Sequence, residues 1–237
     1  MAISLAQVKD TILDFFFPPF CVSCRQNGEW ICADCLSKRR QESTWQCLVC
    51  DQTQDRHAIC PACQHKQPLK GIFISGHFDE VMQRTVHAFK YQSSSVLAKP
   101  LAHILADHLM SDPAFAALDR ALTVLVPVPL HKSKQHLRGY NQSELLAKAL
   151  LPLLPGLTVA NAITRTRATA SQMELDRHDR LQNMKAAFAL VPTVDLKEKT
   201  VILIDDVATT GSTLFECAKA LQPASPKTIW AAVLAHG

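Results

Sequence analysis

Eight cysteines fall as four Cys-x2-Cys doublets inside 43 residues: Cys21 and Cys24, Cys32 and Cys35, Cys47 and Cys50, Cys60 and Cys63. A two-residue gap lets one tight turn present both sulfurs to the same cation, and two such turns complete a tetrahedral thiolate shell. Four doublets therefore predict two Zn²⁺ sites. The alternative is the disulfide framework of a secreted domain. It fits less well, because the N-terminus has neither a basic n-region nor a small-residue cleavage site. The ninth cysteine, Cys217, stands apart. Sequential pairing places Cys21, Cys24, Cys32 and Cys35 on one ion and Cys47, Cys50, Cys60 and Cys63 on the other. Crossed pairing, first doublet with third and second with fourth, stays open. Sequential pairing is favoured because the gaps inside each group, 7 and 9 residues, are shorter than the 11 between groups, and shorter loops cost less closure entropy. Four thiolates leave no position for water, so both sites are expected to be structural. His57 and His65 are then read as surface residues.

The cysteine segment has little apolar periodicity and cannot bury much core, so bound metal must supply its folding free energy, roughly 10–16 kcal/mol per site in favourable peptides. Ahead of it, Ile3, Leu5, Val8, Ile12, Leu13 and Phe16 recur near helical spacing. They predict a short amphipathic helix over residues 1–19, ended by Pro18 and Pro19. From Gly71 onward the pattern changes. Strands are predicted over Gly71–Phe78, Leu122–Val128, Val201–Ile204 and Thr228–Leu234, and helices over Glu80–Tyr91, Val96–Leu109, Ser143–Leu154 and Ser212–Leu221. Such alternation implies an α/β domain with a mostly parallel sheet covered by helices on both faces. The expected organisation is a helix and double zinc module over residues 1–70 and an α/β domain over 71–237. At 48% hydrophobic with a net charge of +4, the chain is neither disordered nor polybasic. The first 70 residues hold eight Lys and Arg against seven Asp and Glu, so the zinc module has no electrostatic stripe for nucleic acid. Its apolar runs fall short of the roughly 18 residues that span a bilayer, and a soluble cytosolic protein is expected.

The most informative segment is Val201-Ile-Leu-Ile-Asp-Asp-Val-Ala-Thr-Thr-Gly-Ser-Thr213. Four apolar residues read as a central strand buried on both faces, with Asp205 and Asp206 where it emerges at its carboxyl end, the place where open α/β sheets bind ligands. The turn after it carries hydroxyls from Thr209, Thr210, Ser212 and Thr213 and a glycine at 211, then opens a helix whose N-terminus favours an anion. These are the parts of a phosphate cradle. Two carboxylates beside a phosphate would repel it if they faced it. They are therefore read as acceptors for a sugar diol or as groups that help place Mg²⁺. Neither Gly-x4-Gly-Lys-Ser/Thr nor Gly-x-Gly-x2-Gly occurs, which removes the P-loop and the dinucleotide fingerprint.

Asp205-Asp206-x3-Thr-Gly-Ser-Thr resembles the phosphoribosyl pyrophosphate (PRPP) signature of type I phosphoribosyltransferases. The resemblance implies that the Ala208 to Thr213 turn holds the 5-phosphate and that the acidic pair contacts the ribose hydroxyls. His87-Ala-Phe-Lys-Tyr91, Val126-Pro-Val-Pro129, Arg138-Gly-Tyr-Asn-Gln142, Arg165-x-Arg-x-Thr-x2-Gln172 and Arg180-x2-Asn183 follow the cysteine doublets. In that order they are similar to the ComF family. Its members join a zinc module to a phosphoribosyltransferase domain and are associated with natural competence and use of external DNA.

A PRPP site also needs Mg²⁺ and cations for the pyrophosphate. The candidates are Lys90, Tyr91, the Val126–Lys132 turn, and Arg138, Asn141 and Gln142 at the start of a helix. The polar stretch from Arg165 to Asn183 reads as a mobile lid, with Arg165, Arg167, Gln172 or Arg177 reaching the ligand. His131 or His136 as a base has no support in the pattern. Three functions remain open: a PRPP-dependent transferase, a PRPP-responsive adaptor docking a competence helicase or DNA-processing partner, and a single-stranded-DNA binder.

Overall fold

The computed structural model describes residues 19–39, 44–91, 95–167 and 186–237, so the amphipathic helix expected over 1–19 lies almost wholly outside the described residues. In chain order the elements are α1 (Ala33–Ser37), β1 (Trp45–Gln46), β2 (Thr53–Gln54), α2 (Pro61–Gln64), β3 (Ile72–Ile74), α3 (Glu80–Tyr91), α4 (Ala98–Ser111), α5 (Pro113–Ala116) and β4 (Thr123–Pro127). There follow α6 (Lys132–Arg138), α7 (Gln142–Leu150), β5 (Thr158–Val159), β6 (Ile163–Arg165), β7 (Phe188–Leu190), β8 (Thr200–Ala208), α8 (Ser212–Leu221) and β9 (Thr228–His236).

Five strands form one sheet in the order β3-β9-β8-β4-β5, and every pair in it is parallel. Successive side chains point to opposite faces, so each strand feeds two cores. On one face Val124, Val126, Val201, Leu203, Ile229, Ala231 and Val233 pack with Leu214, Phe215, Ala218 and Leu221 of α8. On the other, Leu125, Ile202, Ile204, Trp230 and Ala232 pack with Phe89 of α3, Leu101 and Leu105 of α4, and Leu146 and Leu150 of α7. Helices thus cover both faces, as expected. The apolar run of β8 ends at Ile204, yet the strand continues to Ala208, because its ladder with β9 runs on to Ala208 opposite His236. Asp205 and Asp206 therefore lie within the strand rather than just beyond it. β6 and β7 form a separate antiparallel pair joining Ile163 to Leu190 and Arg165 to Phe188. The lid expected over Arg165 to Asn183 begins at the end of β6, and its residues 168–183 lie outside those described.

The cysteine doublets fold twice in the same way. In the first unit Cys21 N donates to Gln26 O (2.7 Å) and Arg25 N to Cys21 O (2.8 Å); in the second Cys47 N donates to Gln52 O (2.8 Å) and Asp51 N to Cys47 O (2.8 Å). Arg25 and Asp51, each just after a doublet, have φ of 69° and 60°, the left-handed conformation that closes the turn. Cys32 and Cys60 then stand at the N-caps of α1 and α2. The duplicated spacing is a duplicated fold.

Candidate functional site

Each unit brings its own four sulfurs together. Cys21, Cys24, Cys32 and Cys35 lie within 4.8 Å of one another, as do Cys47, Cys50, Cys60 and Cys63. This is the sequential pairing. The Sγ atoms of Cys24 and Cys32 are 3.5 Å apart and those of Cys50 and Cys60 3.6 Å, close to the ~3.8 Å edge of a tetrahedron with Zn–S bonds of ~2.3 Å. Backbone N–H groups point at the sulfurs, Cys32 N to Cys21 Sγ (3.5 Å) and Cys60 N to Cys47 Sγ (3.3 Å). Burial pushes the Cys21 thiol up, but donors from the backbone of Cys24, Cys32 and Ser23 outweigh it and bring it down to about 6. Burial, together with neighbouring thiols, drives Cys35 up to about 12. Four thiols this close cannot all ionise alone, and a divalent cation removes the conflict. The residues fit two structural zinc centres.

At the carboxyl end of β8 and β4 a cavity of about 890 Å³ opens. Asp205 and Asp206 form its acidic base. Ser143 Oγ, in the first turn of α7, donates to Asp205 Oδ1 (2.9 Å), and Asp206 N donates to the same atom (2.9 Å). Burial, and then the neighbouring Asp206, raise the Asp205 carboxyl to about 7 against the pull of Lys90 and these hydrogen bonds. Lys90 Nζ meets Asp206 Oδ1 at 2.8 Å. Burial draws the Lys90 pKa down, but Asp206 and Asp205 more than offset this and leave it raised. The other oxygen, Asp206 Oδ2, is buried with no hydrogen-bond partner among the described residues. Such an atom is costly unless a hydroxyl or a hydrated cation meets it, so the pair suits a sugar diol with Mg²⁺ nearby.

The turn after β8 is shaped by Gly211 at φ +70°, where a Cβ would lie 2.8 Å from Leu48 Cδ1 and 3.0 Å from Phe215 Cε2. Leu48 sits between Cys47 and Cys50, so the second zinc unit packs directly on this turn. Thr210 Oγ1 donates to Ser212 Oγ (3.1 Å) and accepts from Ser212 N (3.4 Å), which ties the turn to the N-terminus of α8.

Of the residues singled out in the sequence, Asp205, Asp206, Thr209, Thr213, Lys90, Tyr91, Arg138, Gln142 and Arg165 line the cavity, with Val128, Pro129 and Leu130 of the Val126–Lys132 turn. Ala208, Thr210, Gly211 and Ser212 shape the turn without forming its wall. Arg167 is exposed and stands outside the lining, and Gln172, Arg177 and Asn183 are outside the described residues. Arg138 is the last residue of α6, not the start of a helix. Gly139 at φ 82° closes α6 there, and Asn141 caps α7 by accepting from Ser143 N (3.1 Å). Arg138 donates to Gln142 Oε1 and lies over the Tyr91 ring at 5.3 Å. His131 caps α6, and neither it nor His136 reaches the cavity.

Sequence reasoning missed Ser143, Lys134, Arg84 and, from the first zinc unit, Val22, Ser23 and Arg25. Among the described residues six cations line the cavity, Arg25, Arg84, Lys90, Lys134, Arg138 and Arg165, against Asp205 and Asp206 as the lining acids. Such walls concentrate an anionic ligand.

A family model of the phosphoribosyl transferase domain matches residues 141–237. The chain is similar to Competence protein F of Haemophilus influenzae, 33% identical over 215 residues that cover 87% of this chain and 92% of that protein. It is 32% identical over 213 residues to DNA utilization protein YhgH of Escherichia coli K12, covering 86% and 91%. Competence protein ComFC of Bacillus subtilis is 25% identical over 201 residues, covering 81% and 78%.

Proposed function

The chain belongs to the ComF family, and from that premise we propose that its cavity binds PRPP with Mg²⁺ and that the protein acts in the uptake or use of external DNA. One observation carries the reading: an acidic pair at the end of β8 and a hydroxyl-rich turn meet in a single cavity whose other charged lining residues, among those described, are cations. The turn from Ala208 to Thr213, with its backbone N–H groups and the N-terminus of α8, receives the 5-phosphate. Asp205 and Asp206 accept from the ribose hydroxyls. Lys90, Lys134, Arg138 and Arg165 receive the pyrophosphate. Lys90 must then share Asp206 with the ligand. Asp205 and Asp206 would help place Mg²⁺, which when bound would offset charge on the leaving group. In turnover an acceptor bonds to C1 as the C1–O bond breaks and pyrophosphate departs with the electron pair. The cationic wall stabilises that charge. The DNA-related role follows from the names of the relatives, Competence protein F and DNA utilization protein among them.

Calorimetry of the full zinc-loaded chain with PRPP and Mg²⁺ tests the reading. Saturable binding is expected, and Asp205→Asn combined with Asp206→Asn should remove it while circular dichroism and zinc content stay as in the parent. Unchanged affinity in that variant, or no binding by the parent, would end the proposal. Acceptor-dependent release of pyrophosphate then separates a transferase from a protein that only senses PRPP.

A further inference from the structure

The cations of the cavity divide into two groups. Lys90 of α3, Lys134 and Arg138 of α6 and Arg165 of β6 are the four assigned above to the pyrophosphate, and burial together with the other three lowers the Lys134 ammonium. Arg25 and Arg84 line the same cavity and have no part in that assignment. Arg25 comes from the first zinc unit, and Arg84 from α3, the helix that also carries Lys90. Arg25 sits on the left-handed turn that closes the first cysteine doublet, with its guanidinium 5.2 Å from the centre of the Phe20 ring. Arg84 projects from α3 and is fixed by two hydrogen bonds, Nη1 to Ser23 O (2.6 Å) and Nη2 to Glu80 Oε1 (2.5 Å). Glu80 offsets part of the Arg84 charge, which leaves Arg25 as the excess cation. Val22 and Val86, one from each element, add apolar surface to the lining.

At about 890 Å³ the cavity is near the upper end of the roughly 300–1,000 Å³ of small-molecule sites, a size that suits a phosphorylated pentose together with a small ring. Guanidinium groups match carboxylate and phosphate oxygens in a planar fork, and valine surfaces suit the face of a ring. We propose that the first zinc unit and α3 hold a second small ligand, a planar ring bearing an oxyanion, as the acceptor beside the phosphoribosyl end. In this arrangement the zinc unit is a wall of the ligand site. The proposal rests on the PRPP reading of the other side and names the class of molecule that meets it.

The test is calorimetry on the full zinc-loaded chain saturated with PRPP and Mg²⁺, using matched probes: orotate against uracil, nicotinate against nicotinamide, and phenyl phosphate against phenol. An acid is expected to bind and its neutral partner to bind at least about tenfold more weakly, the scale of one lost hydrogen bond to a charged group. The first two pairs report a carboxylate and the third a phosphate. Arg25→Gln should weaken the bound acid about tenfold more than it weakens PRPP, with both zinc ions retained. Neutral rings binding as tightly as the acids, no binding by any acid, or an acid indifferent to Arg25→Gln would each overturn the proposal. A parent chain that fails to bind PRPP would overturn the earlier reading instead, so the two failures are distinct.

Discussion

The two zinc units share a backbone and differ in what they touch. Cys47, Ala58, Ile59, Cys60 and Cys63 belong to the same core as β4, β8, β9 and α8, and the unit is hydrogen-bonded to the sheet edge through Ile72 N to His57 O (3.0 Å). The sulfurs of the first unit form their own small cluster, joined by Val81 of α3. Val22 inside the first doublet, and Trp30, Ile31 and Leu36 beside the other ligands, reach the opposite core. The turn position that carries Asp51 in the second unit carries Arg25 in the first, and only the first unit contributes to the cavity lining. One repeated loop serves as a foundation under the phosphate turn; its copy faces the ligand. Local metal geometry fixes the shape of such a unit, and the residues between the ligands decide its use.

Removing each metal site separately gives the sharpest contrast. Cys47→Ser with Cys50→Ser should eliminate one zinc and unfold the sheet or lower its melting temperature severely, because a structural site contributes folding free energy of about 10 kcal/mol or more to the core that holds β8. Cys21→Ser with Cys24→Ser should also cost one zinc. The sheet should nevertheless persist, with a smaller drop in melting temperature. Metal analysis with thermal melts followed by circular dichroism reads both. Equal losses would erase the distinction between foundation and wall.

A smaller effect probes the contact between the second unit and the phosphate turn. Gly211→Ala meets two costs: the left-handed conformation, about 1–2 kcal/mol for a residue with Cβ, and the clash with Leu48 Cδ1 at 2.8 Å. Reduced stability and weaker PRPP binding are expected. Adding Leu48→Ala should restore part of the loss, the part due to the clash, as a coupling in a double-mutant cycle. Strict additivity would mean that Leu48 does not constrain the turn.

How much of this was legible beforehand depended on whether a feature was local. The helices over Glu80–Tyr91 and Ser212–Leu221 match the apolar periodicity to the residue, since a 3.6-residue stripe carries its own ends. The apolar run alone ends β8 too early, because Asp205 and Asp206 break it while the β9 ladder continues past them. The pair β6–β7 was invisible: its three-residue strands lie on either side of the long polar stretch. The acidic pair and the turn are legible because their spacing carries the chemistry, and Lys90 because the resemblance to PRPP sites implies a cation. Arg25, Arg84 and Ser143 are not. They enter the site through packing between distant elements, and Arg25 in particular looks like an ordinary turn residue after a cysteine.

The smallest expected effect separates the acidic base of the cavity from the zinc wall. Asp205 has its pKa raised to about 7 by burial and then by Asp206, against an ordinary value of about 3.9. The folded state therefore favours the protonated form. The stability this contributes is fully present below the ordinary value and is lost as pH rises through about 7. Accepting a ribose hydroxyl favours the carboxylate, so PRPP affinity should rise over the same interval in which stability falls. Ser143 Oγ donates to Asp205 Oδ1 and holds the pKa down. Ser143→Ala should shift the rise in affinity to higher pH and cost about 1 kcal/mol of stability. The ligand's own phosphate also titrates near pH 6, but it does so equally in both proteins and cancels in their difference. Arg25→Gln, on the zinc wall, should keep the parent midpoint even where it weakens binding of the second ligand. Calorimetry across neutral pH decides the matter. A midpoint unmoved by Ser143→Ala, or moved by Arg25→Gln, would show that the acidic base and the zinc wall do not act separately.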